Sequence, residues 1–272
     1  MQPALPARAA VFRHGGPAPS RERALPEETA LALTYNRETH AVMMGTPADL
    51  EDFAVGFSLT EGVVEHSGQI EELDIVPAEH GVELRMWLAA DRLEATQARR
   101  RRLAGPTGCG LCGIDSLREA VRPPRRVVGG AAFTPAAIAA AQQAMEAQLP
   151  LGAETRAVHA AALWHPSRSL LHVREDVGRH NALDKLVGAA ARAGDDASGC
   201  LLLLSSRVSI EMVQKACVLG AAVLVAISAP TAHAVRLADA AGLTLVGVAR
   251  ADGFEVFTHP QRIVPDNVRH IA

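Results

Sequence analysis

An α/β fold, with a mainly parallel sheet flanked by helices and a smaller α+β part ahead of it, is what this sequence predicts. The first observation is alternation in the second half. Short apolar runs at 169–173, 200–204, 223–227 and 244–248 have strand length, and helical patterns at 182–192, 210–220 and 232–241 lie between them. Strands separated by helices imply a sheet covered on both faces. The second observation is a hairpin pattern followed by a helix and two more strand candidates in the first half. The third is composition: 272 residues with 49% hydrophobic and 21% charged residues are enough for one large or two modest cores.

Residues 1–25 are rich in Pro, Arg and Ala without periodicity and read as a mobile or loosely docked tail. From Thr29 to Met44 two apolar runs flank Asn36-Arg37-Glu38, as in a hairpin. Thr46-Pro47-Ala48-Asp49 has the composition of a helix start, with Thr46 as cap and Pro47 in the first turn. Leu50, Phe53, Ala54 and Phe57 follow at helical spacing, and Gly62 closes the helix. Strands are expected at 70–76 and 82–88. The organisation that follows is a tail at 1–25, a small α+β part at 26–104, a cysteine loop at 105–113 and an α/β domain at 114–272.

Charge and composition exclude several classes. A net charge of -3 supplies no basic field for nucleic acid. No uninterrupted apolar run reaches the length of a membrane span, and the first residues lack a secretory signal, so a cytoplasmic location is expected. Four cysteines in a chain of this size do not make a disulfide framework. With only 3% aromatic residues, the core is aliphatic.

Chemistry concentrates in Gly105-Pro106-Thr107-Gly108-Cys109-Gly110-Leu111-Cys112-Gly113. The glycines keep bulk away from both sulfurs, as a thiol moving between two partners requires. Arg99-Arg100-Arg101-Arg102 lies just upstream; folded back it favours thiolate, and otherwise it is a solvated helix face. A Cys-x-x-Cys pair also fits a redox disulfide, half of a zinc site or a structural pair. Zinc needs two further ligands, and Cys200 and Cys217 sit apart in apolar runs where a small buried hydrophobe is expected. The His-x-Glu and Pro-Cys-x-x-Cys signature of zinc deaminases is absent. A thioredoxin-type pair follows an apolar strand, whereas the segment here is charged. No metal site is therefore assigned.

In open α/β sheets ligands gather at the carboxyl ends of the strands. The polar loops expected there are Arg174-Glu175-Asp176-Val177-Gly178-Arg179-His180-Asn181, Ser205-Ser206-Arg207 and Ser228-Ala229-Pro230-Thr231. Taken singly, Asn181 and Thr231 suit helix caps, Gly178 a turn, and Asp176 an ion pair with Arg179 or Lys185. Taken together, two arginines, a histidine, hydroxyls and helix N-termini resemble an anion or nucleotide site. Neither a P-loop nor a Gly-x-Gly-x-x-Gly turn is present.

These motifs, in this order, resemble the formate dehydrogenase accessory sulfurtransferases, the FdhD family. The likeness is carried by the 103–113 cysteine loop, by Arg174 through Lys185, and by Ser205-Ser206-Arg207-Val208-Ser209. It extends to Ile227-Ser228-Ala229-Pro230-Thr231 and Phe257-Thr258-His259-Pro260-Gln261-Arg262, and earlier to Met43 through Leu50 and Gly56 through Gly62. The resemblance implies a cytidine-deaminase-like fold without zinc chemistry. It implies a sulfurtransferase that takes persulfide sulfur from a cysteine desulfurase. The sulfur then passes to the molybdenum cofactor, as bis-molybdopterin guanine dinucleotide, needed by formate dehydrogenase. By the same resemblance Cys109 carries the persulfide and Cys112 relays or releases sulfur. Phe257, Thr258, His259, Pro260, Gln261 and Arg262 match the cofactor-binding stretch. Gln261 departs from the acidic residue expected there. Arg179 and Arg207 are candidates for the pyrophosphate, and Ser228 and Thr231 for phosphate or base. Arg262 alternatively serves as an ion-pair partner. A homodimer is expected, since a cofactor with two nucleotides suits a two-fold assembly. The alternative is a cofactor carrier or chaperone that moves no sulfur; a zinc-dependent deaminase is the third reading.

Overall fold

The computed structural model describes residues 1–90, 92 and 123–266. Cys109, Cys112 and the arginines at 99–102 lie outside the described residues.

The chain opens with two antiparallel strands, β1 (Ala4–Arg13) and β2 (Gly16–Pro26), which pair only with each other. The segment expected to lack regular structure is therefore a ribbon. Its sequence hides this because neither face is buried, so no alternation of apolar and polar residues is imposed. The ribbon is tied to the body where Arg23 Nη2 donates to the Thr155 carbonyl at 3.2 Å.

A four-stranded sheet follows in the order β4-β3-β6-β5, built from β3 (Thr29–Tyr35), β4 (Glu38–Gly45), β5 (Ile70–Ala78) and β6 (Gly81–Leu88). Asn36 and Arg37 take positive φ at the first hairpin, as its tight turn requires. Leu31, Leu33, Leu84 and Met86 bury one face of this sheet against Phe53 and Phe57 of helix α1 (Leu50–Thr60). Helix α1 is not capped by Thr46. Asp49 occupies the cap position in the left-handed region, and Thr46 is instead drawn into a buried polar network described below.

The second sheet has six strands in the order β12-β11-β10-β9-β7-β8. Its members are β7 (His159–His165), β8 (Ser169–Asp176), β9 (Leu201–Leu204), β10 (Val223–Ala226), β11 (Thr244–Arg250) and β12 (Gly253–Val256). Only β9, β10 and β11 pair in parallel with one another. The sheet is thus mixed rather than mainly parallel: β7 runs antiparallel to both β8 and β9, and β12 antiparallel to β11. The cause is connection length. Residues 166–168 and 251–252 are all that join the two edge pairs, and so short a link allows only a hairpin.

Helices cover both faces. Leu202, Leu204, Leu224 and Leu245 point to one side, toward α4 (Arg179–Ala193), α5 (Ile210–Leu219) and α6 (Ala232–Ala241). Leu201, Leu203, Val223 and Val225 point to the other, toward Ile138, Ala141 and Met145 of α2 (Pro135–Glu146). A short helix, α3 (Pro150–Thr155), leads into β7. Among the described residues no helix is long and apolar enough to cross a membrane.

The two sheets are joined through α1 and α4. Their backbones meet at Gly56 and Gly188: a Cβ on Gly56 would stand 1.7 Å from the Asp184 carbonyl oxygen, and one on Gly188 1.9 Å from that of Asp52. No side chain fits between the helices there. Gly188→Ala is expected to reduce unfolding free energy by about 3 kcal/mol or more, since rigid backbone fills the space. Urea denaturation reads this directly, and a loss below about 1 kcal/mol would contradict so close a crossing.

Candidate functional site

Strands β8, β9 and β10 end at one edge of the large sheet, and the loops that follow them meet there. Ser205 N donates to the Ala160 carbonyl, and Ser205 Oγ accepts from Ala160 N at 2.7 Å. Thr231 N donates to the Val208 carbonyl, and Val208 and Pro230 form a parallel bridge. The expected convergence of three polar loops is therefore observed.

The loop after β8 is set by Asp176, which is wholly buried. Its Oδ1 accepts from Gly178 N at 2.8 Å and from Asn181 Nδ2 at 3.1 Å. Its Oδ2 accepts from Thr46 N at 3.0 Å and stands 2.6 Å from Lys185 Nζ, itself wholly buried. Lys185 also donates to the Thr46 carbonyl, Val177 N donates to Thr46 Oγ1, and Asn181 donates to the Met44 carbonyl. Asp176 thus pairs with Lys185, and Asn181 caps no helix. Gly45 admits this approach, since a Cβ there would lie 2.9 Å from Asn181 Nδ2.

Two further charged clusters fasten α1 to α4 and α5. Lys215 Nζ contacts both oxygens of Asp184 at 2.8 and 3.0 Å, Thr60 Oγ1 at 2.9 Å and Glu61 at 3.0 Å. The Asp52 carboxylate pairs with Arg174 at 2.7 Å and with Arg192. Burial raises the pKa of Asp184 against the pull of Lys215, while the neighbouring carboxylates raise that of Lys215 against its burial.

Arg179 and His180 open α4 beside this network. Burial lowers His180 to about 4, helped by the Arg179 and Lys215 cations, so its ring is neutral at pH 7. His159 is likewise lowered, first by burial and then by Arg179, with Arg207 adding to the effect. Arg179 and Arg207 thus both act on the His159 ring. Thr231 Oγ1 caps α6 by accepting from Ala234 N at 3.2 Å. Ser228 lies in the same loop, and its carbonyl accepts from Val248 N.

The stretch from Phe257 to Arg262 is divided by the sheet. Phe257 is 37% exposed, and a Cβ on Gly247 would lie 3.0 Å from its ring and 2.9 Å from Pro230 Cδ, which seats the ring beside the Ser228–Thr231 loop. The following residues turn to the amino end of β11. There Thr258 Oγ1 donates to the Leu243 carbonyl at 2.6 Å, and His259 Nε2 lies 2.9 Å from the Asp239 carbonyl oxygen. Arg262 donates to the carbonyls of Gly242 and Gly129 rather than to a carboxylate. Pro260 and Gln261 are exposed.

The remaining thiols are inert. Cys200 is 0% and Cys217 5% exposed, and burial pushes their pKa values up to about 11 and about 12. Ser209 entered the sequence reading only as the end of the Ser205–Ser209 motif and Glu211 not at all; their Oγ and Oε2, at the start of α5, are buried with no hydrogen-bond partner among the described residues.

Lys185→Met is expected to cost about 3–5 kcal/mol, because it strands the Asp176 carboxylate in the interior. Adding Asp176→Asn should recover part of that loss. Chemical denaturation of the single and double variants tests this, and equal stability in both would refute the pairing.

Comparison with known proteins places these features. The FdhD/NarQ family model matches residues 26–264. A sulfur carrier protein FdhD from Agrobacterium fabrum is 50% identical over 256 residues, covering 93% of this chain and 94% of that protein. One from Brucella abortus is 52% identical over 243 residues, covering 89% and 90%. The crystal structure of a putative formate dehydrogenase accessory protein from Desulfotalea psychrophila superposes with a TM-score of 0.77 at 25% identity, over 97% of this chain and all of that one. With the motifs, the fold and the sequence likeness in agreement over nearly the whole length, this chain belongs to the FdhD/NarQ family.

Proposed function

We propose that this protein is a cytoplasmic sulfurtransferase that accepts sulfur as a persulfide on Cys109 and delivers it to a molybdenum cofactor bearing guanine nucleotides. The observation that carries the reading is the partition of the four cysteines. Cys200 and Cys217 are buried with strongly raised pKa values and supply no thiolate at neutral pH. Thiolate chemistry therefore falls to Cys109 and Cys112. Relatives that share about half of the sequence are named sulfur carriers, and the structural neighbour is named a formate dehydrogenase accessory protein.

The donor is a cysteine desulfurase persulfide. The Cys109 thiolate attacks its outer sulfur, the sulfur–sulfur bond of the donor breaks, and the desulfurase thiolate leaves. The new persulfide ends in a nucleophilic sulfur, and its delivery would break the Cys109 sulfur–sulfur bond, returning the Cys109 thiolate while a reduced cofactor supplied the two electrons that make the sulfur sulfide. Attack by Cys112 on that persulfide instead gives an internal disulfide and free sulfide, which makes Cys112 either a relay or a release point. The cofactor is the substrate, and the carboxyl edge of the large sheet suits its nucleotide end. Arg179 and Arg207 serve the pyrophosphate, Ser228 and Thr231 line the loop, and Phe257 offers a ring for stacking. Thr258, His259 and Arg262 anchor the segment behind Phe257, whereas Pro260 and Gln261 lie with them at the amino end of β11, away from this edge. A two-fold pair of chains would match a cofactor with two nucleotides, and formate dehydrogenase is its recipient.

Intact-protein mass spectrometry after incubation with a desulfurase and cysteine tests the first step. A reducible gain of about 32 Da per sulfur is expected in the wild type and in Cys112→Ala, and none in Cys109→Ala. Loss in Cys112→Ala alone would exchange the two roles. No gain in any form would leave cofactor carriage without sulfur transfer.

A further inference from the structure

Two surfaces of this chain are apolar and uncovered. The first is the ribbon of β1 and β2. An isolated two-stranded ribbon is at best marginally stable in water unless it packs on something. Here Phe12, which faces Pro17 across the ribbon, is 75% exposed, and the cross-strand pair Leu5 and Leu25 is exposed as well. The second is the outer face of the four-stranded sheet. Leu31 and Leu33 point inward to α1, so their neighbours along β3 point out. Strand register puts Ala30 beside Met44 and Ala32 beside Val42, and Val42 is 60% and Met44 50% exposed. Apolar residues left open on an edge strand mark a surface that associates.

Charge selects the partner. The ribbon carries Arg8, Arg13, Arg21 and Arg23 against Glu22 alone. On the outer face of the sheet Glu83 lies beside Ala32, and Glu72 and Asp74 follow on β5. Arg85 on that face is paired with Glu83 at 2.7 Å. Over residues 27–90 thirteen acidic residues stand against Arg37 and Arg85. Two such sheets repel, as do two ribbons, whereas a ribbon and a sheet attract. The ribbon leaves its own sheet open: only Glu27 and Glu28 separate β2 from β3, and Arg23 holds the ribbon to α3. The occupant that fits the charges and the open apolar residues is therefore the ribbon of a second copy of this chain. Its reach suffices, since the ten residues of β1 extend about 33 Å against roughly 15 Å between the outer strands of a four-stranded sheet.

We propose that two copies of this chain exchange ribbons about a two-fold axis, each ribbon lying across the outer face of the other chain's four-stranded sheet. Phe12 packs against Val42 and Met44, while Arg8, Arg13 and Arg21 meet Glu72, Asp74 and Glu83. This interface depends on neither the sulfur chemistry nor the proposed cofactor.

Sedimentation velocity of the full chain under reducing conditions, over a micromolar concentration series, tests the exchange. Wild type is expected to dimerise. A ribbon variant, Arg8→Glu with Arg13→Glu and Arg21→Glu, and a sheet variant, Glu72→Arg with Asp74→Arg, should each raise the dissociation constant about tenfold or more. An equimolar mixture of the two should regain dimers, because both contacts of the mixed pair are complementary. Recovery in the mixture supports the exchange. Wild type that stays monomeric overturns it, together with the two-fold pair of the proposed function. A wild-type dimer that the sheet variant leaves intact overturns the exchange alone and puts the dimer contact elsewhere. Weakening in both variants without recovery in the mixture overturns direct contact between ribbon and sheet. Should a charge variant not fold, Phe12→Asp and Val42→Asp, both at exposed positions, decide: dimerisation about tenfold weaker in each supports the exchange, and an unchanged constant in either overturns it.

Discussion

An ammonium and a carboxylate 2.6 Å apart, both removed from water, anchor the rest of this structure. Lys185 comes from α4 and Asp176 from the end of β8, and Thr46, at the exit of the four-stranded sheet, adds its N–H and carbonyl to the donors from Gly178 and Asn181. Each oxygen of Asp176 accepts twice. A buried charge stripped of one partner is costly, whereas the complete set is tolerated. The two sheets therefore meet in one register only, with Thr46 inserted beneath the turn that launches Arg179 and His180. The glycine crossing of α1 and α4 and the Lys215–Asp184 cluster continue the same seam.

The seam has a chemical consequence. Burial, and after it the Arg179 cation, lowers both His159 and His180, with Arg207 adding to the first and Lys215 to the second. The turn that Asp176 holds thus sets cationic groups beside two histidines that are neutral-leaning at the same sheet edge.

The polar loops were legible because each follows an apolar run of strand length and precedes a helical one. The ion pair of Asp176 was legible only as a choice between Arg179 and Lys185, because sequence spacing does not say which side chain turns inward. Thr46 misled: its spacing before a helix suits a cap, but its hydroxyl and carbonyl are taken by residues more than 130 positions away. Strand β7 escaped notice because His159–His165 contains three alanines, which favour strands weakly, and only its place between β8 and β9 makes it one. The antiparallel edges of the large sheet follow from short connections whose meaning depends on β7 and β12 being strands. Glu211 carried no sequence signal beyond an acidic residue in a first helical turn; what distinguishes it is a buried oxygen without a partner among the described residues.

The proposed function joins a thiol pair to an acceptor, and the polar loops at the sheet edge are the place proposed for that acceptor. Radiolabelled sulfur followed from cysteine through a desulfurase, onto this chain and then onto added molybdenum cofactor tests that connection most directly. The account predicts reducible label on the chain that falls as label appears in the cofactor, in step and without free sulfide as an intermediate. Label that leaves the chain only as sulfide while the cofactor stays unlabelled would contradict it.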